Sequence, residues 1–439
     1  MKRSGADAFE FEHSIAFDVE AAEAAIAAVP ARCGVLALCG KDAAAEPYLA
    51  RTVNLQSRAR RMLMPAAGAT RRLNLSKRVA RIEYTETGSE FESLLTLYQA
   101  TVAFFGAERT RKRMRLYAPF CIRFVRENAY PRAYVTNRIS MKAMAETFGP
   151  YPSRAAAERA LTEMLNLFKL RRCAEELEPE EKHPGCIYSE MKMCLAPCFK
   201  GCTDERYAEE AAGVLEFLRT RGESMTAKLE AERDAASGLM EFEQAAAIHA
   251  QMQKAKAAAA CSAEMVRALD ELNAVVVQPA AGGNKDAVSI YGVRRGCIST
   301  RPLRFATHDI RHANAEAGST SLFVQPQMPV AIPLNESGEV QDEVKAESSE
   351  TRLRRELETL MVGGSGNAAG LNDHLSLLRR WYYRPARQRV GEIFFVKSAA
   401  GDLDRAEVPV RRILRGVSRV VMGAAGRIAG ELNEENSVD

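Results

Sequence analysis

The stretch "CAEELEPEEKHPGCIYSEMKMCLAPCFKGC", residues 173–202, sets the architecture, because it puts five of the chain's ten cysteines within thirty residues. Twelve residues separate Cys173 from Cys186, seven separate Cys186 from Cys194, and three lie in each of the gaps Cys194 to Cys198 and Cys198 to Cys202. A structural zinc site generally draws its ligands from two tight Cys-x2-4-Cys knuckles. Here only the last three cysteines are tight, and the first two arrive singly. Four thiolates at uneven spacing suit a four-iron four-sulfur cluster, whose corners accept ligands from different directions. Zinc stays the alternative. Burial of cysteines as small apolar side chains fits poorly with five of them beside polar "EPEEKH". His183, next to Pro184-Gly185, reads as a turn residue rather than a ligand.

The first twenty residues, "MKRSGADAFEFEHSIAFDVE", intersperse charges where a secretory signal needs an apolar run. Nowhere does the chain reach the roughly 18 uninterrupted apolar residues of a membrane helix. The expectation is a cytoplasmic protein without membrane contact, and cytosolic thiols are kept reduced, which ranks disulfides behind metal for the cysteine group. At 439 residues the chain exceeds one ordinary core and calls for several domains of about 100 to 200 residues.

Net charge is only +4, but residues 51–115 carry fourteen Lys or Arg against five Glu. A basic lobe of this kind implies a polyanion such as DNA, with Arg58, Arg60, Arg61, Arg109, Arg111, Lys112, Arg113 and Arg115 as candidate phosphate contacts. The plainer alternative is a solvated arginine-rich surface.

Residues 31–64 read as two short apolar strands and a basic helix from about Leu55. A helical rhythm over 90–105 runs into "ERTRKRMR". "AYPRAYVTN" reads as a strand, and "YPSRAAAERALTEMLNLFKLRRC" as an amphipathic helix from Ser153 to the first cysteine of the cluster. From Glu205 to Cys261 the chain lacks proline and is rich in Ala, Glu, Leu and Met. That composition predicts two long helices broken near Ser237-Gly238, with an apolar stripe of Leu239, Phe242, Ala246 and Met252 for a partner. Residues 273–306 switch to period two, as a small antiparallel unit requires. Three prolines and an acidic run make 325–350 a linker. An interrupted helix over 351–383 and a tail with Arg411, Arg412, Arg415 and Arg419 close the chain.

These motifs carry a resemblance. "GPYPSRAAAERALTEMLNLFKLRRC" followed by "CIYSEMKMCLAPC" resembles the cysteine-rich region of the UvrC family of bacterial nucleotide excision repair. "LMEFEQAAAIHAQMQK" is similar to that family's UVR motif, the helical hairpin that pairs with a like hairpin on UvrB. "VSIYGVRRGCISTR" resembles the β segment that follows, and "LRRWYYRPARQRVGEIFF" the approach to the C-terminal half. The resemblance implies that Cys173, Cys186, Cys194 and Cys198 ligate an iron-sulfur cluster, with Cys202 left as an extra thiol.

The resemblance also implies a GIY-YIG nuclease domain at the front. Its chemistry needs a tyrosine to accept a proton, an arginine on the phosphate and a glutamate to hold a divalent metal such as Mg²⁺. Here the first triplet is "GVL", with Leu36 in the tyrosine position, and the second is "YLA", retaining Tyr48. Arg58 stands in the arginine position. The glutamate falls near Leu97 and the asparagine that completes the site near Cys121, neither of which binds Mg²⁺. Glu90 and Glu92 lie within two helical turns of Leu97; only a slipped alignment would bring one of them into that position, and the preferred reading places both on a solvated helix face. Tyr48 and Arg58 are thus catalytic remnants.

The family's RNase-H-like nuclease would need about 150 to 200 further residues beyond the segment that "VPVRRILRGVSRVVMGAAG" resembles, so the expectation is a C-terminally shortened member. The expected fold is α+β multidomain: an extension over 1–29, a degenerate GIY-YIG-like domain over 30–148, an iron-sulfur module over 149–204, a UVR-like hairpin over 205–262, a small antiparallel β unit over 263–324, a linker over 325–350, and a helix with basic tail over 351–439. The leading functional expectation is a DNA- and UvrB-binding repair protein with weak or lost nuclease activity. An active one-incision endonuclease and a redox-responsive DNA-binding regulator are the alternatives.

Overall fold

The run "GVLALCG" is apolar at nearly every position, and Gly34–Gly40 forms a strand whose first six residues are all buried. In the computed structural model, which describes residues 9–42, 45–64, 73–174, 176–282, 287–306, 349–362, 368–399 and 402–435, this strand is central in an antiparallel sheet. Val79–Glu86 lies on one side of it and Tyr48–Thr52 on the other. The outer neighbour of Val79–Glu86 is His13–Ala16. Phe17, Ala25, Ile26 and Val29 join the core below with Leu55, Ala59 and Leu63 of the helix Leu55–Leu63. Residues 13–29, expected as an extension, are therefore part of the first domain, because their apolar side chains complete its core.

The second sheet runs Arg132–Thr136, Phe120–Val125, Thr147–Tyr151 and Arg267–Ala268, all antiparallel. Helices Arg154–Leu167 and Asp204–Thr220 share its core through Ala157, Met164, Tyr207, Val214 and Phe217. Ser153 caps the first of these by accepting from Ala156 N–H at 3.2 Å. That helix stops at Leu167 rather than running to Cys173, since Phe168 is extended and its ring meets Phe217 edge-on at 5.8 Å. Tertiary packing overrides helix propensity there.

The stretch expected as two helices is three: Asp204–Thr220, Glu223–Gly238 and Phe242–Ala260. The extra break is at Arg221-Gly222, both in left-handed conformation with φ of 54° and 82°. A Cβ on Gly222 would sit 2.9 Å from that of Ala259, so the turn needs glycine for its backbone and for space. The expected break after Ser237-Gly238 is present, with Met240 at φ 59°.

The third sheet contains Cys297–Ile298, Ala287–Arg294, Ala274–Pro279 and Glu392–Phe395 in that order, with Leu303–Ala306 also on Ala287–Arg294. It is not the isolated unit expected over 263–324, because Glu392–Phe395 reaches it from about a hundred residues away in sequence. Both faces are covered, which explains the unbroken "AVVVQ". On one face Val275, Val277 and Ile290 pack with Leu353 and Leu357 of Ser349–Val362 and with Ile413 and Val417 of Val410–Glu435. A Cβ on Gly416 would stand 2.1 Å from the Phe394 ring, so the last helix approaches the strand closely only because that residue is glycine. On the other face Val276, Tyr291 and Val293 meet Leu371, Leu375 and Trp381 of Ala368–Tyr382, together with Phe91, Leu95 and Tyr98 of Glu90–Phe105. The segment expected as a separate helix and tail is thus integral to this core. Nearly all of the expected linker, 325–348, lies outside the described residues. Among the described residues no helix is long and apolar enough to cross a membrane.

His374 sits in this shared core, its Nδ1 accepting from Ile298 N–H at 2.9 Å. Burial, partly offset by the neighbouring Asp373 carboxylate, pushes its imidazole down from 6.5 to about 4. Stability should therefore be complete above the unfolded value near 6.5 and decline as pH falls toward 4, by about 2–3 kcal/mol. Thermal unfolding measured across that window is expected to show this loss in the wild type and a flatter profile in His374→Gln.

Candidate functional site

Two places collect the chemistry. The first is the cysteine loop, where left-handed turns at Lys192, Ala196 and Lys200 wind the chain so that Cys194 and Cys198 return beside the chain leaving Leu167. Cys186 caps the short helix Ile187–Glu190, its N–H donating to Ser189 Oγ at 2.9 Å. Cys173, Cys186, Cys194 and Cys198 all line one small pocket, with Arg171, Arg172, Leu177, Tyr188 and Pro197. Arg171 Nη1 lies 3.6 Å from Cys173 Sγ, and Ala196 N–H donates to Cys194 Sγ at 3.1 Å.

Burial pushes the Cys194 thiol up to about 11, and the neighbouring Cys173, Cys186 and Cys198 add to the rise. Burial likewise raises Cys198. These thiols stay protonated until a cation offsets the charge, so ligation would release protons. Among the described residues no trio of His, Cys, Asp or Glu is arranged to grip a single ion; what the four cysteines share is the pocket. Cys202 is outside it and packs on the core of the second sheet. His183 Nδ1 accepts from Gly185 N–H at 3.0 Å, as a turn residue does.

The second place is a cleft of about 910 Å³ in the first domain, lined by Arg51, Asn54, Ser57, Arg58, Arg61, Ser89 and Glu90 among others. Arg58 and Arg61 reach it from one helix and Glu90 from the start of the next. Arg58 Nε is buried without a hydrogen-bond partner. Tyr48 does not line this cleft; it packs against the first domain's core, which Leu36 enters fully buried. The structure therefore does not bring Tyr48 and Arg58 together as a catalytic pair.

Both rescuing carboxylates are engaged elsewhere. Glu90 receives Arg51 Nη1 at 2.6 Å and both terminal nitrogens of Arg384, Nη2 to Oε1 at 2.6 Å and Nη1 to Oε2. Burial pushes the Glu90 carboxyl up, but hydrogen bonds from Arg384 and Arg51 and their charges outweigh it, leaving it below the ordinary value. Glu92 is 2% exposed and takes Gly88 N–H at 2.7 Å, Arg304 at 3.2 Å and Ser289 Oγ at 3.4 Å. Burial, only partly countered by Arg304, raises its pKa. Sequence reasoning missed Arg51 and Arg384, and nothing local marks Arg384, which acts 294 positions away from Glu90.

The basic cluster divides. Arg111, expected on phosphate, is committed to Asp373 at 2.9 and 3.1 Å; that carboxylate is 1% exposed and also receives Tyr98 Oη–H at 3.1 Å. Releasing Arg111 would strand a buried charge, so it is removed from the DNA contacts. Arg60 pairs with Glu23, Lys112 with Glu108, and Arg109 and Arg113 with Glu46. These pairs are exposed and weak enough for a phosphate to displace. Arg115 is an exposed residue after the last turn of its helix. On the hairpin, Leu239 and Phe242 are 72% and 67% exposed at the tip and Ala246 is exposed. Met252 is corrected: it is buried with Leu229 and Ala255 inside the hairpin, where no partner reaches it.

The cysteine pocket lies inside residues 120–217, which match the family model of the UvrC/Cho excinuclease middle domain. The UvrABC system protein C of Alcanivorax borkumensis is 28% identical over 205 residues, covering 47% of this chain and 33% of that protein. Its counterpart in Ectopseudomonas mendocina is 28% identical over 248 residues, or 54% and 38%, and that of Idiomarina loihiensis 26% over 271 residues, or 60% and 38%. The chain spans a third to two fifths of the length of these relatives. No solved structure matches it. Together the matches show that the middle region of the chain is similar to the UvrC family.

Glu92→Ala is expected to lower stability by about 1–3 kcal/mol, because Arg304, Ser289 and Gly88 N–H lose their acceptor between the first domain and the third sheet. Chemical denaturation of the purified variant reads this directly; unchanged stability would return Glu92 to the list of available metal ligands.

Proposed function

We propose that the chain is a UvrC-like nucleotide-excision-repair protein that binds DNA and a UvrB-like partner, and that its first domain cuts weakly or not at all. The observation that carries the reading is the meeting of Cys173, Cys186, Cys194 and Cys198 in one pocket of the span that matches the UvrC middle domain. Around it, three features are consistent: a cleft rich in arginine, an exposed apolar hairpin tip, and leucines, Leu36 and Leu97, in the positions of the first tyrosine and the glutamate of a GIY-YIG site.

The pocket's donor chemistry fits a four-iron four-sulfur cluster held by those four cysteines. Uneven ligand spacing is compatible with the cluster's corners, and N–H donors such as Ala196 beside Cys194 Sγ stabilise sulfur carrying negative charge. When bound, the cluster would supply a covalent brace and an electron-accepting centre. The chain's own residues do the rest: Arg171 and Arg172 hold positive charge against the loop, and Tyr188 and Leu177 line the pocket beside the four cysteines. Zinc in the same pocket is the competing occupant.

In the cleft, Arg58 and Arg61 provide the phosphate contacts. A hydrolytic step would need a hard carboxylate oxygen to hold a divalent metal and a base to take the water proton. Glu90 is engaged by two arginines, Glu92 is buried, and Leu36 offers no oxygen. Parts of a nuclease that act as a unit lose most of the catalysis together. One arrangement favours the alternative of a one-incision endonuclease, namely that Arg58 and Glu90 line the same cleft.

Protein purified without oxygen is expected to be brown, with iron and acid-labile sulfide near four each per chain; stoichiometric zinc without visible absorption would contradict this. Mixed with damage-loading proteins and Mg²⁺ or Mn²⁺, it should leave lesion-bearing duplex uncut, and its DNA affinity should fall steeply with salt. A cut abolished by Arg58→Ala without loss of binding would establish the endonuclease instead. Phe242→Ala should weaken the UvrB-like contact by about 1–3 kcal/mol while leaving the melting temperature in place. A drop in melting temperature with unchanged partner affinity would mean that the tip is structural.

A further inference from the structure

The cleft of the first domain holds one of its own carboxylates where an anionic ligand would go. Arg384 grips Glu90 through both terminal nitrogens, and Arg51 adds a bond of 2.6 Å to the same Oε1. A planar guanidinium presenting two parallel N–H groups, with a second guanidinium alongside, binds a phosphate as readily as a carboxylate. We infer that Glu90 is the resting occupant of a phosphate site built from Arg51, Arg58, Arg61 and Arg384, and that an incoming nucleic-acid phosphate displaces it from Arg51 and Arg384.

Three observations carry this. The cleft stays open beside the ion pair, at about 910 Å³, which is room for a nucleotide. Two of its arginines are unspent: Arg58 Nε is buried with no partner, and among the described residues no ion pair engages Arg58 or Arg61. Finally, the Glu90 grip is exchangeable. The side chains of Glu90, Arg51 and Arg384 are 40%, 42% and 32% exposed, so water and anions reach the pair and its net strength is small. The contrast is Asp373, whose side chain is 2% exposed under Arg111 and cannot let go without stranding a buried charge. Glu92, the next carboxylate, is turned into the interface with the third sheet and does not face the cleft's ligand.

The displacement is non-covalent. The phosphate takes the N–H groups of Arg51 and Arg384, and the Glu90 carboxylate turns to water. Because Arg384 follows the helix Ala368–Tyr382 of the distant C-terminal segment, the exchange also substitutes a phosphate for a contact that ties that segment to the first domain. The inference rests on the DNA-binding reading above and adds which phosphate site is self-occupied and what occupies it. An internal phosphodiester and a terminal phosphate share this chemistry.

The test uses the full chain and short single-stranded oligonucleotides with and without a terminal phosphate, followed by fluorescence anisotropy across a salt series. Inorganic phosphate serves as competitor. Glu90→Gln is expected to tighten oligonucleotide binding severalfold and to steepen the salt slope by about 0.7 to 1.4, as one or two more phosphate contacts on a single strand require. Inorganic phosphate should compete better against this variant than against the wild type. The gain should vanish when Arg384→Ala is added, and the exposed carboxylate Glu158, changed to Gln on the second domain, should give no gain. Arg51→Ala, which leaves the Glu90 to Arg384 contact to hold the segments together, should weaken binding. A gain confined to phosphorylated ends identifies a terminal phosphate as the ligand, and an equal gain for both identifies internal phosphodiesters. The inference is overturned if Glu90→Gln, shown folded by its melting curve, binds like the wild type, or if its gain survives Arg384→Ala. If the wild type and every variant bind no oligonucleotide at all, the DNA-binding reading itself fails.

Discussion

A carboxylate buried between two ends of the chain governs how the rest is arranged. Asp373 is 1% exposed on a helix near the C-terminal end, and its charge is met by Arg111 and by the Tyr98 hydroxyl, both from the region before the second sheet. Removing Arg111 costs on the order of 3 kcal/mol, because the buried Asp373 charge is left without its counter-ion, whereas the partly exposed Arg111 keeps access to water. The helix that carries Asp373 must therefore dock where Arg111 and Tyr98 are. That docking brings Trp381 onto Phe91, at 5.1 Å between rings, seats Arg380 on the carbonyl of Met114 at 2.9 Å, and carries Arg384 to Glu90. The strand Glu392–Phe395 follows within a few residues and finds its place beside Ala274–Pro279.

The same arrangement accounts for the state of the first domain's cleft. A divalent metal needs carboxylates that are not crowded by positive charge, whereas here Glu92 is buried in the third sheet's polar contacts and the exposed Glu90 stands between the guanidinium groups of Arg51 and Arg384, whose charge opposes a second cation. The cleft's surplus is positive, which suits holding a phosphate and does not suit holding a divalent cation against bulk water. The cysteine loop lies apart from this, on the second sheet's helices, so the two chemistries are separately supported. The binding of nucleic acid and of a helical partner proposed above does not require the first domain to cut.

Much of this was legible in the residues themselves. The strands Gly34–Gly40 and Tyr48–Thr52, the helix Leu55–Leu63 and the strands of the third sheet follow local apolar patterns; the cysteine spacing left five candidates, and it was the resemblance that implied the four that meet in one pocket. What could not be read was long-range. Nothing near Gln278 announces that Glu392–Phe395 will pair with its strand. Arg111 looks like its basic neighbours until Asp373 is found beneath it. Met252 belongs to the same periodic stripe as Phe242, yet one faces Leu229 and the other faces solvent, because periodicity locates a face and not what covers it. The break at Arg221-Gly222 was missed because a glycine inside a proline-free helical composition is tolerated often enough to carry little weight.

The central claim is that Glu90 and Glu92, the carboxylates nearest the first domain's cleft, face the protein's own arginines and do not offer a divalent metal site. A titration of the full chain with Mn²⁺, followed by electron paramagnetic resonance of the free ion, tests it most directly. The account predicts no stoichiometric Mn²⁺ site that depends on Glu90, so that wild type and Glu90→Gln give the same free-ion curve. A single Mn²⁺ bound per chain in the wild type and lost in Glu90→Gln would contradict it, and would make the cleft a metal-dependent active site.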